Sequence, residues 1–431
     1  MVDNINNKRI AKNTIFLYIR MLLVMLVTLY TSRIILGVLG FVDFGIYNVV
    51  AGVITFFSFL NGSMAASTSR FLTIELGNQD LARFKKVYSV TVLNHFVLGV
   101  FIVILAETIG LWFLQNKLVI PADRIEIAFW LYQFSIFSTF ISIIQVPFGA
   151  SIIAHEKMNI YALGGIIESL LKLGTAFLIG FITFDRLGFY GIAISCTAFI
   201  MIIFYYLYIK KKFPYCNFEM QTDKALYRET LSYSGWDLLG NFSIVAQGQG
   251  LNMLLNIFFG PLVNAAQAIS MQVQAAILQF ANNFMLASRP QIIKYYASGE
   301  NKEMMNLVFS SAKYSFFLMW LLSLPILIET EYVLEIWLKK VPLNTVSFTR
   351  IVILTSLITS LRNPFIAAMH ATGKIKLPNL VCGTLLISTV PISYFFLKQG
   401  YPAESVFIIS LVITFISMWI ELILIKRAVY F

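Results

Sequence analysis

The sequence predicts an all-α, polytopic membrane protein with about twelve transmembrane helices in two six-helix bundles. Three observations predict this fold class. The chain is 58% hydrophobic and 12% charged, with a mean hydropathy of +0.79, which is far from the composition of a soluble domain. Apolar runs of about 18 to 25 residues, each long enough to cross a bilayer as a helix, recur along the whole chain. The second half also repeats motifs of the first.

The apolar runs give the predicted spans in order. A helix that crosses a membrane satisfies its own backbone hydrogen bonds, so helices and not open sheets are expected. The first run begins after Lys8, Arg9 and Lys12 and is too long for a cleaved signal peptide, so it is expected to be retained. The predicted spans are 12–37, 44–68, 88–114, 127–153, 160–183, 188–209, 232–258, 264–287, 307–328, 346–369, 380–397 and 403–425.

The distribution of positive charge predicts the orientation. With the N-terminus inside, the inner segments hold roughly three times as many lysines and arginines as the outer loops, which is the positive-inside pattern. Both termini are therefore predicted to be cytoplasmic. The net charge of +11 is assigned to this topology and to attraction to anionic membrane lipids. No nucleic-acid partner is expected, because no basic block belongs to an exposed folded domain.

The halves are predicted to be an N-terminal bundle at 1–209, a cytoplasmic linker at 210–231 and a C-terminal bundle at 232–431. Pro147-Phe148, near the end of the fourth predicted span, and Pro364-Phe365, near the end of the tenth, begin similar motifs at an offset of 217 residues. This offset covers six spans, an even number, so the repeats are parallel and are related by an axis along the membrane normal. Such an architecture places a cavity between the halves and is typical of a transporter.

Neither an enzyme nor a metal protein is indicated. Cys196, Cys216 and Cys382 are isolated, and the three histidines are widely separated, so no metal site is expected. The chain lacks the nucleotide-binding, zinc-protease and nucleophile-elbow motifs. No cofactor is expected, and transport energy must come from an ion gradient, the membrane potential or the substrate gradient.

Charged residues inside the spans are candidate functional groups, because each needs a partner or a wet cavity. Arg20 and Arg362 are candidates for an anionic ligand, and Asn363 with Pro364 is expected to open the backbone just after Arg362. Glu168 and Lys172 are spaced i,i+4, so they form either a pair that only orients the helix or a charge relay or substrate contact. Glu168 and Asp237 are the candidates for energy coupling.

Amide side chains form two stripes on the seventh and eighth spans. Such residues either form hydrogen bonds that hold helices together or line a water-filled surface that binds hydroxyl groups. The number of amide side chains on one stripe exceeds what helix association requires, so a sugar-binding surface is predicted. Its residues are Asn241, Gln249, Asn252 and Asn256 on the seventh span and Gln272, Gln279 and Asn283 on the eighth.

A glycine-rich motif carries a family resemblance. Residues 32–50 include Gly37, Gly40, Asp43, Gly45 and Tyr47, and they resemble the junction of the first two spans in polysaccharide exporters of the multidrug/oligosaccharidyl-lipid/polysaccharide (MOP) superfamily. The two proline motifs resemble the matching helix ends of that superfamily. Within it, the chain is most similar to Wzx-type flippases of O-antigen and capsule repeat units.

The resemblance implies a flippase that moves an undecaprenyl-diphosphate-linked oligosaccharide across the bacterial inner membrane by alternating access. Arg20, Lys172 and Arg362 would bind the diphosphate, and the amide stripes would bind the sugar. The expected partners are the lipid-linked substrate, membrane lipids, polysaccharide polymerase or ligase enzymes, and a coupling proton or sodium ion.

Two alternatives stay open. An ion-coupled multidrug or cation antiporter of the same superfamily predicts an intramembrane acid that dominates the cavity, but cations outnumber Asp237 and Glu168 here. A membrane O-antigen polymerase predicts a large outer loop with paired arginines. The longest predicted outer loop, about 17 residues around 329–345, argues against it.

The topology gives the first testable prediction. Cysteine labelling or a reporter fusion at Phe218 is expected to give a cytoplasmic signal, because the lysine-rich segment 210–231 belongs to the inner side. Val119, in a predicted outer loop, is the matched control and is expected to be labelled from outside. Labelling of Phe218 from the periplasm would contradict the assigned orientation.

Overall fold

The structure is a computed structural model that describes residues 2–57, 59–77, 80–155, 157–221, 223–297, 299–372 and 376–428. Side chains are described throughout these ranges except at 2–18, 57, 59–63, 66, 70, 77, 229, 231–240, 283, 286–287, 289–291, 293–294 and 297. The predicted site residues Asp237 and Asn283 therefore lie outside the described side chains.

Every regular element in these described ranges is a helix, so the predicted all-α fold class is confirmed. The α-helices are α1 (Val2–Phe57), α2 (Phe59–Gly77), α3 (Leu81–Leu105), α4 (Leu111–Asn116), α5 (Ile125–Ala154), α6 (Met158–Ile179), α7 (Arg186–Lys212), α8 (Lys224–Phe259), α9 (Pro261–Ala297), α10 (Asn301–Ile328), α11 (Thr330–Leu338), α12 (Thr345–Thr372), α13 (Lys376–Lys398) and α14 (Glu404–Ala428). A π-helical segment, Ala106–Gly110, joins α3 to α4, and a 3₁₀ turn, Ala122–Arg124, precedes α5.

The structure confirms a multi-pass helical protein, with fewer candidate spans than the twelve predicted. Within the part of the chain that the structure describes, nine helical stretches are long and apolar enough to cross a membrane, and the predicted spans 232–258 and 264–287, in α8 and α9, are not among them. The gap predicted between the first two spans coincides with Gly40, whose φ of 78° interrupts α1. Glycine adopts this left-handed conformation without the steric penalty of a Cβ atom. Gly260, with a φ of 77°, similarly separates α8 from α9.

The proline motifs lie within helices. Pro147 lies inside α5 and Pro364 inside α12, and both helices continue beyond the proline, to Ala154 and Thr372. The expectation that Pro364 opens the backbone was therefore wrong. Proline removes one helical hydrogen bond, but neighbouring helices hold the flanking turns in place.

Residues Met1–Asn241 form the first compact unit. Its helix α5 packs against α1, α2, α3 and α7. Part of its core is formed by Leu72, Phe84 and Ile152, which are fully buried. Phe213 and Cys216, in the segment after α7, are buried against the same core.

Residues Phe242–Phe431 form the second compact unit. Its helix α12 packs against α9, α10 and α14. The buried rings of Phe348 and Phe407 lie 4.3 Å apart between centroids, beside the fully buried Leu255. The helices that carry the two proline motifs, α5 and α12, are thus each packed on several sides within their own unit.

Two consecutive glycines bring α6 close to its neighbours. A Cβ atom at Gly164 would lie 2.7 Å from Cζ of Tyr205 on α7, well inside van der Waals contact. A Cβ atom at Gly165 would similarly lie too close to the side chain of Arg20 on α1. Small residues at such positions let membrane helices approach closely.

This close approach gives a second testable prediction. We expect Gly164→Ala to destabilise the protein by about 1–3 kcal/mol, because the methyl group must displace Tyr205. Gly174→Ala on the same helix is the matched control, since nothing lies within 4 Å of its Cβ position. Alanine there is expected to be neutral or stabilising. Thermal unfolding of the purified protein in detergent measures both variants, and equal unfolding midpoints would contradict the predicted clash.

Candidate functional site

Arg20 is a residue of α1, and its side chain packs against α6 in the first unit. Its guanidinium Cζ is 4.7 Å from the ring centroid of Tyr161, which is a cation–π distance. A Cβ atom at Gly165 would lie only 3.1 Å from the same Cζ. Glycine at this position therefore lets the guanidinium rest against the backbone of α6.

The positive charge of Arg20 is not neutralised by any described carboxylate. Its Nε is buried and has no hydrogen-bond partner. The ion pairs among the described side chains do not include Arg20. Leaving a buried donor unsatisfied costs about 1–3 kcal/mol. The site therefore presents an unsatisfied cation on a helix that crosses the membrane.

Glu168 and Lys172 lie further along α6. Lys172 Nζ is 2.7 Å from Glu168 Oε1, so the two residues form the ion pair that their spacing allows. Their side chains are 42% and 49% exposed, so neither charged group is buried. Both residues line a cavity of about 390 Å³ between α5, α6 and α7.

Arg362 has a different environment in the second unit. Its Nε and Nη2 donate to the two carboxylate oxygens of Glu421 on α14, at 2.8 and 2.6 Å. The Arg362 and Glu421 side chains are only 13% and 4% exposed. A phosphate group would have to displace this buried bidentate carboxylate to bind Arg362.

Two of the predicted sugar-binding amides lie in a buried network. Asn264 Nδ2 donates to the backbone oxygen and Oδ1 of Asn252, both at 2.7 Å, and Asn256 Nδ2 donates to Asn264 Oδ1 at 3.0 Å. Asn252 Nδ2 also approaches Gln249 Oε1 at 3.4 Å. The network joins α8 to α9 across Gly260. This geometry matches the alternative in which Asn252 and Asn256 join helices by hydrogen bonds.

The other predicted amides are less enclosed. Asn241 and Gln249 on α8 are half-buried, as are Gln272 and Gln279 on α9. The Oε1 atom of Gln272 is buried and has no hydrogen-bond partner. These four residues stay predicted sugar contacts.

Several polar contacts were not predicted from the sequence. Gln247 Nε2 donates to Thr389 Oγ1 at 3.2 Å and to Ser410 Oγ at 3.1 Å, which ties α8 to α13 and α14. Glu421 and Asn264 were missed as partners. For Asn264 a signal existed, since it follows the Gly260 turn closely enough to face the last turn of α8. For Glu421 the sequence holds no comparable signal, because its partner is on a distant helix.

The glycine-rich motif has a structural role in the first unit. Asp43, three residues after Gly40, is bound to Arg124 at 2.7 Å, and Arg124 also pairs with Asp185. Asp185 caps α7 by accepting from the Gly188 backbone N–H at 2.9 Å. One arginine therefore ties the kinked part of α1 to the start of α7.

The segment that follows α7 packs against the core of the first unit. His155 stacks on Phe213, with ring centroids 3.7 Å apart, and its Nε2 is 2.5 Å from the Tyr215 hydroxyl. Burial lowers the pKa of His155. Burial also raises the pKa of the Cys216 thiol to about 12, so this thiol stays protonated at neutral pH. Among the described residues, no group of three or more His, Cys, Asp or Glu side chains is placed to hold a metal ion.

Comparison with known proteins identifies the fold. No protein-family model matches the chain, and no curated protein matches its sequence. An inward-facing multidrug resistance MATE family transporter of the MOP superfamily matches with a TM-score of 0.78 and 15% identity, over 93% of this chain and 94% of that one. An outward-facing multidrug resistance MATE family transporter matches with a TM-score of 0.67 and 16% identity, over 97% and 96%.

A third match is a MOP superfamily transporter from Pyrococcus furiosus, described as having a binding pocket of reverse polarity that suggests a different function. It has a TM-score of 0.64 and 16% identity, over 96% of this chain and 95% of that one. The chain therefore has the fold of the MATE transporters of the MOP superfamily. This confirms the fold that the family resemblance implied.

The buried pair in the second unit gives a third testable prediction. Arg362→Met or Glu421→Met alone is expected to cost about 3–5 kcal/mol, because each leaves the other charge buried and unpaired. The double variant is expected to recover most of that loss. Glu219→Gln, which breaks the more exposed pair with Lys85, is the control and should cost at most about 1 kcal/mol. Thermal unfolding in detergent measures all four variants. A double variant as unstable as the single ones would contradict the prediction.

Proposed function

We propose that this protein is a flippase that moves an undecaprenyl-diphosphate-linked oligosaccharide from the cytoplasmic to the periplasmic leaflet of the bacterial inner membrane. The shared fold supports transport by alternating access, since MATE family transporters of this fold have been solved in inward-facing and outward-facing conformations. The expected orientation has both termini in the cytoplasm, as the positive-inside pattern predicts.

The unpaired guanidinium of Arg20 carries this proposal. A cation inside a membrane span costs about 2.5–3.5 kcal/mol on insertion scales and is retained where it serves a function. Arginine is the residue best suited to bind phosphate oxygens through two parallel N–H donors. With Nε lacking a partner and no described carboxylate bound to it, Arg20 is available for an anionic ligand.

Lys172 is a second candidate for the diphosphate, because its exposed side chain lies on α6, the helix against which Arg20 rests. Arg362 is the weakest of the three candidates, since Glu421 already occupies its guanidinium. Proton or sodium coupling is assigned to Glu168 and Asp237. Polysaccharide polymerase or ligase enzymes would receive the flipped substrate.

A cation or drug antiporter is the second candidate function, because MATE transporters described as multidrug resistance proteins share the fold. That function calls for an unneutralised acid in the membrane. Glu168 and Glu421 are each paired with a base, whereas Glu107 accepts a hydrogen bond from Gln133 at 3.3 Å and is in none of the ion pairs of the described side chains. The charge that lies unneutralised beside α6 is that of Arg20, which favours an anionic substrate.

Substitution of Arg20 is the fourth testable prediction. In cells that depend on this protein for surface polysaccharide, Arg20→Gln is expected to lower export at least about tenfold, because a charged hydrogen bond to phosphate contributes about 1.5–3 kcal/mol. Arg20→Lys should keep part of the activity. Export is measured by immunoblotting of surface polysaccharide, normalised to membrane-inserted protein.

Arg33→Gln on the same helix is the matched control for charge removal, and it is expected to export normally. Full export by Arg20→Gln would refute the assignment of the diphosphate to Arg20. Loss of drug resistance without any loss of polysaccharide would instead favour the antiporter.

A further inference from the structure

The cavity between α5, α6 and α7 has the size of a ligand site. Its volume of about 390 Å³ lies within the range of small-molecule pockets. The polar residues that line it include Ser138, Ser142, Gln145, Glu168, Lys172 and Thr197. None of the described residues that line it is aromatic, although aromatic residues make up 15% of the chain.

Three of the four described hydroxyl groups that line this cavity already donate their hydrogen within the protein. Ser138 Oγ donates to Ser135 O at 3.1 Å, Ser142 Oγ to Ser138 O at 2.8 Å, and Thr197 Oγ1 to Ala193 O at 2.9 Å. A hydroxyl has one hydrogen to donate and two lone pairs that accept. Because the hydrogens of these three hydroxyls are used within their own helices, their oxygen atoms are left to accept bonds from a ligand.

The charges of the cavity cancel. Glu168 adds further acceptor oxygens, while the paired Lys172 ammonium supplies donors and removes the net negative charge. A lone cation would be repelled by Lys172, and a flat aromatic drug would find no ring to stack on. A neutral ligand with many hydroxyl groups fits both the acceptors and the donors, because each hydroxyl donates and accepts.

The cavity lies beside the Arg20 site. Gly165, against which Arg20 rests, and Glu168 and Lys172 share one face of α6, because steps of three and seven residues are close to whole turns. At a rise of 1.5 Å per residue, Glu168 is about 5 Å and Lys172 about 10 Å along the helix from Gly165. In a polyprenyl-diphosphate-linked oligosaccharide, the first sugar is bonded directly to the diphosphate. Neighbouring sites for a phosphate and a sugar match that covalent order.

We infer that this cavity is the subsite for the sugar next to the diphosphate, with Ser138, Ser142 and Thr197 accepting bonds from its hydroxyl groups. This inference rests on the proposed function, because it takes Arg20 to hold the diphosphate. It places a sugar contact within the first unit, on residues outside the amide stripes of α8 and α9.

The test compares two lipids. Binding to the purified protein in nanodiscs is measured for undecaprenyl diphosphate and for the undecaprenyl-diphosphate-linked oligosaccharide extracted from the organism that makes this protein. The triple variant Ser138→Ala/Ser142→Ala/Thr197→Val removes three acceptors with little change in shape. It is expected to bind the sugar-bearing lipid about 10- to 100-fold more weakly, as the loss of three hydrogen bonds implies, and to bind undecaprenyl diphosphate unchanged.

The double variant Ser135→Ala/Thr175→Val is the matched control. Its two hydroxyls also donate to carbonyls of their own helices, at 2.7 and 3.0 Å, but they do not line the cavity. It is expected to bind both lipids like the wild type. The single variant Ser142→Ala, at an exposed side chain, replaces the triple variant if the latter is not recovered folded, with an expected loss of about threefold to tenfold.

The outcomes separate the two proposals. If the wild-type protein binds neither lipid, the proposed function fails. If it binds both lipids but the triple variant loses neither, or loses both equally, the sugar subsite is overturned while the flippase proposal stands. An equal loss in the control variant would also overturn the subsite, because the effect would then come from the helices and not from the cavity.

Discussion

A charged side chain inside a bilayer must be paired or hydrated, and this constraint organises the polar interior of both units. In the second unit, Arg362 meets it through a buried bidentate pair with Glu421. In the first unit, Glu168 and Lys172 meet it by pairing along one helix while facing a cavity. Arg20 is not paired with any described carboxylate, so its charge is available to an anionic ligand.

The surroundings of Arg20 hold its position without cancelling its charge. The face of the Tyr161 ring attracts the guanidinium by a cation–π interaction of about 0.5–2 kcal/mol. Because the ring is neutral, this interaction leaves the positive charge of Arg20 uncompensated. Gly165 removes the side chain that would push the guanidinium away from α6. A carboxylate in the same place would hold the arginine more firmly, but it would compete with any anionic ligand. An aromatic ring and a glycine therefore suit a binding site better than an ion pair does.

The apolar runs predicted the all-α fold, because a membrane-spanning helix is indicated by its own apolar length. Helical spacing indicated the pairing of Glu168 with Lys172, since an i,i+4 contact is local. The Arg362–Glu421 pair could not be found this way, because a helical period identifies the face of a residue but not the helix that packs against that face. The same limit left open whether the amide stripes bind sugar or join helices.

The balance of donors and acceptors separates these two roles better than the number of polar residues does. Asn252, Asn256 and Asn264 each carry both donors and acceptors, so they can bond to one another and close a buried network. Ser142 and Thr197 give their only hydrogen to a helix carbonyl and keep acceptor oxygens beside an open cavity. A closed network strengthens helix packing and has little capacity left for a ligand. A surface of surplus acceptors is complete only when a ligand supplies the missing donors, which is why the less conspicuous hydroxyls of α5 and α7 are the better candidates for recognition.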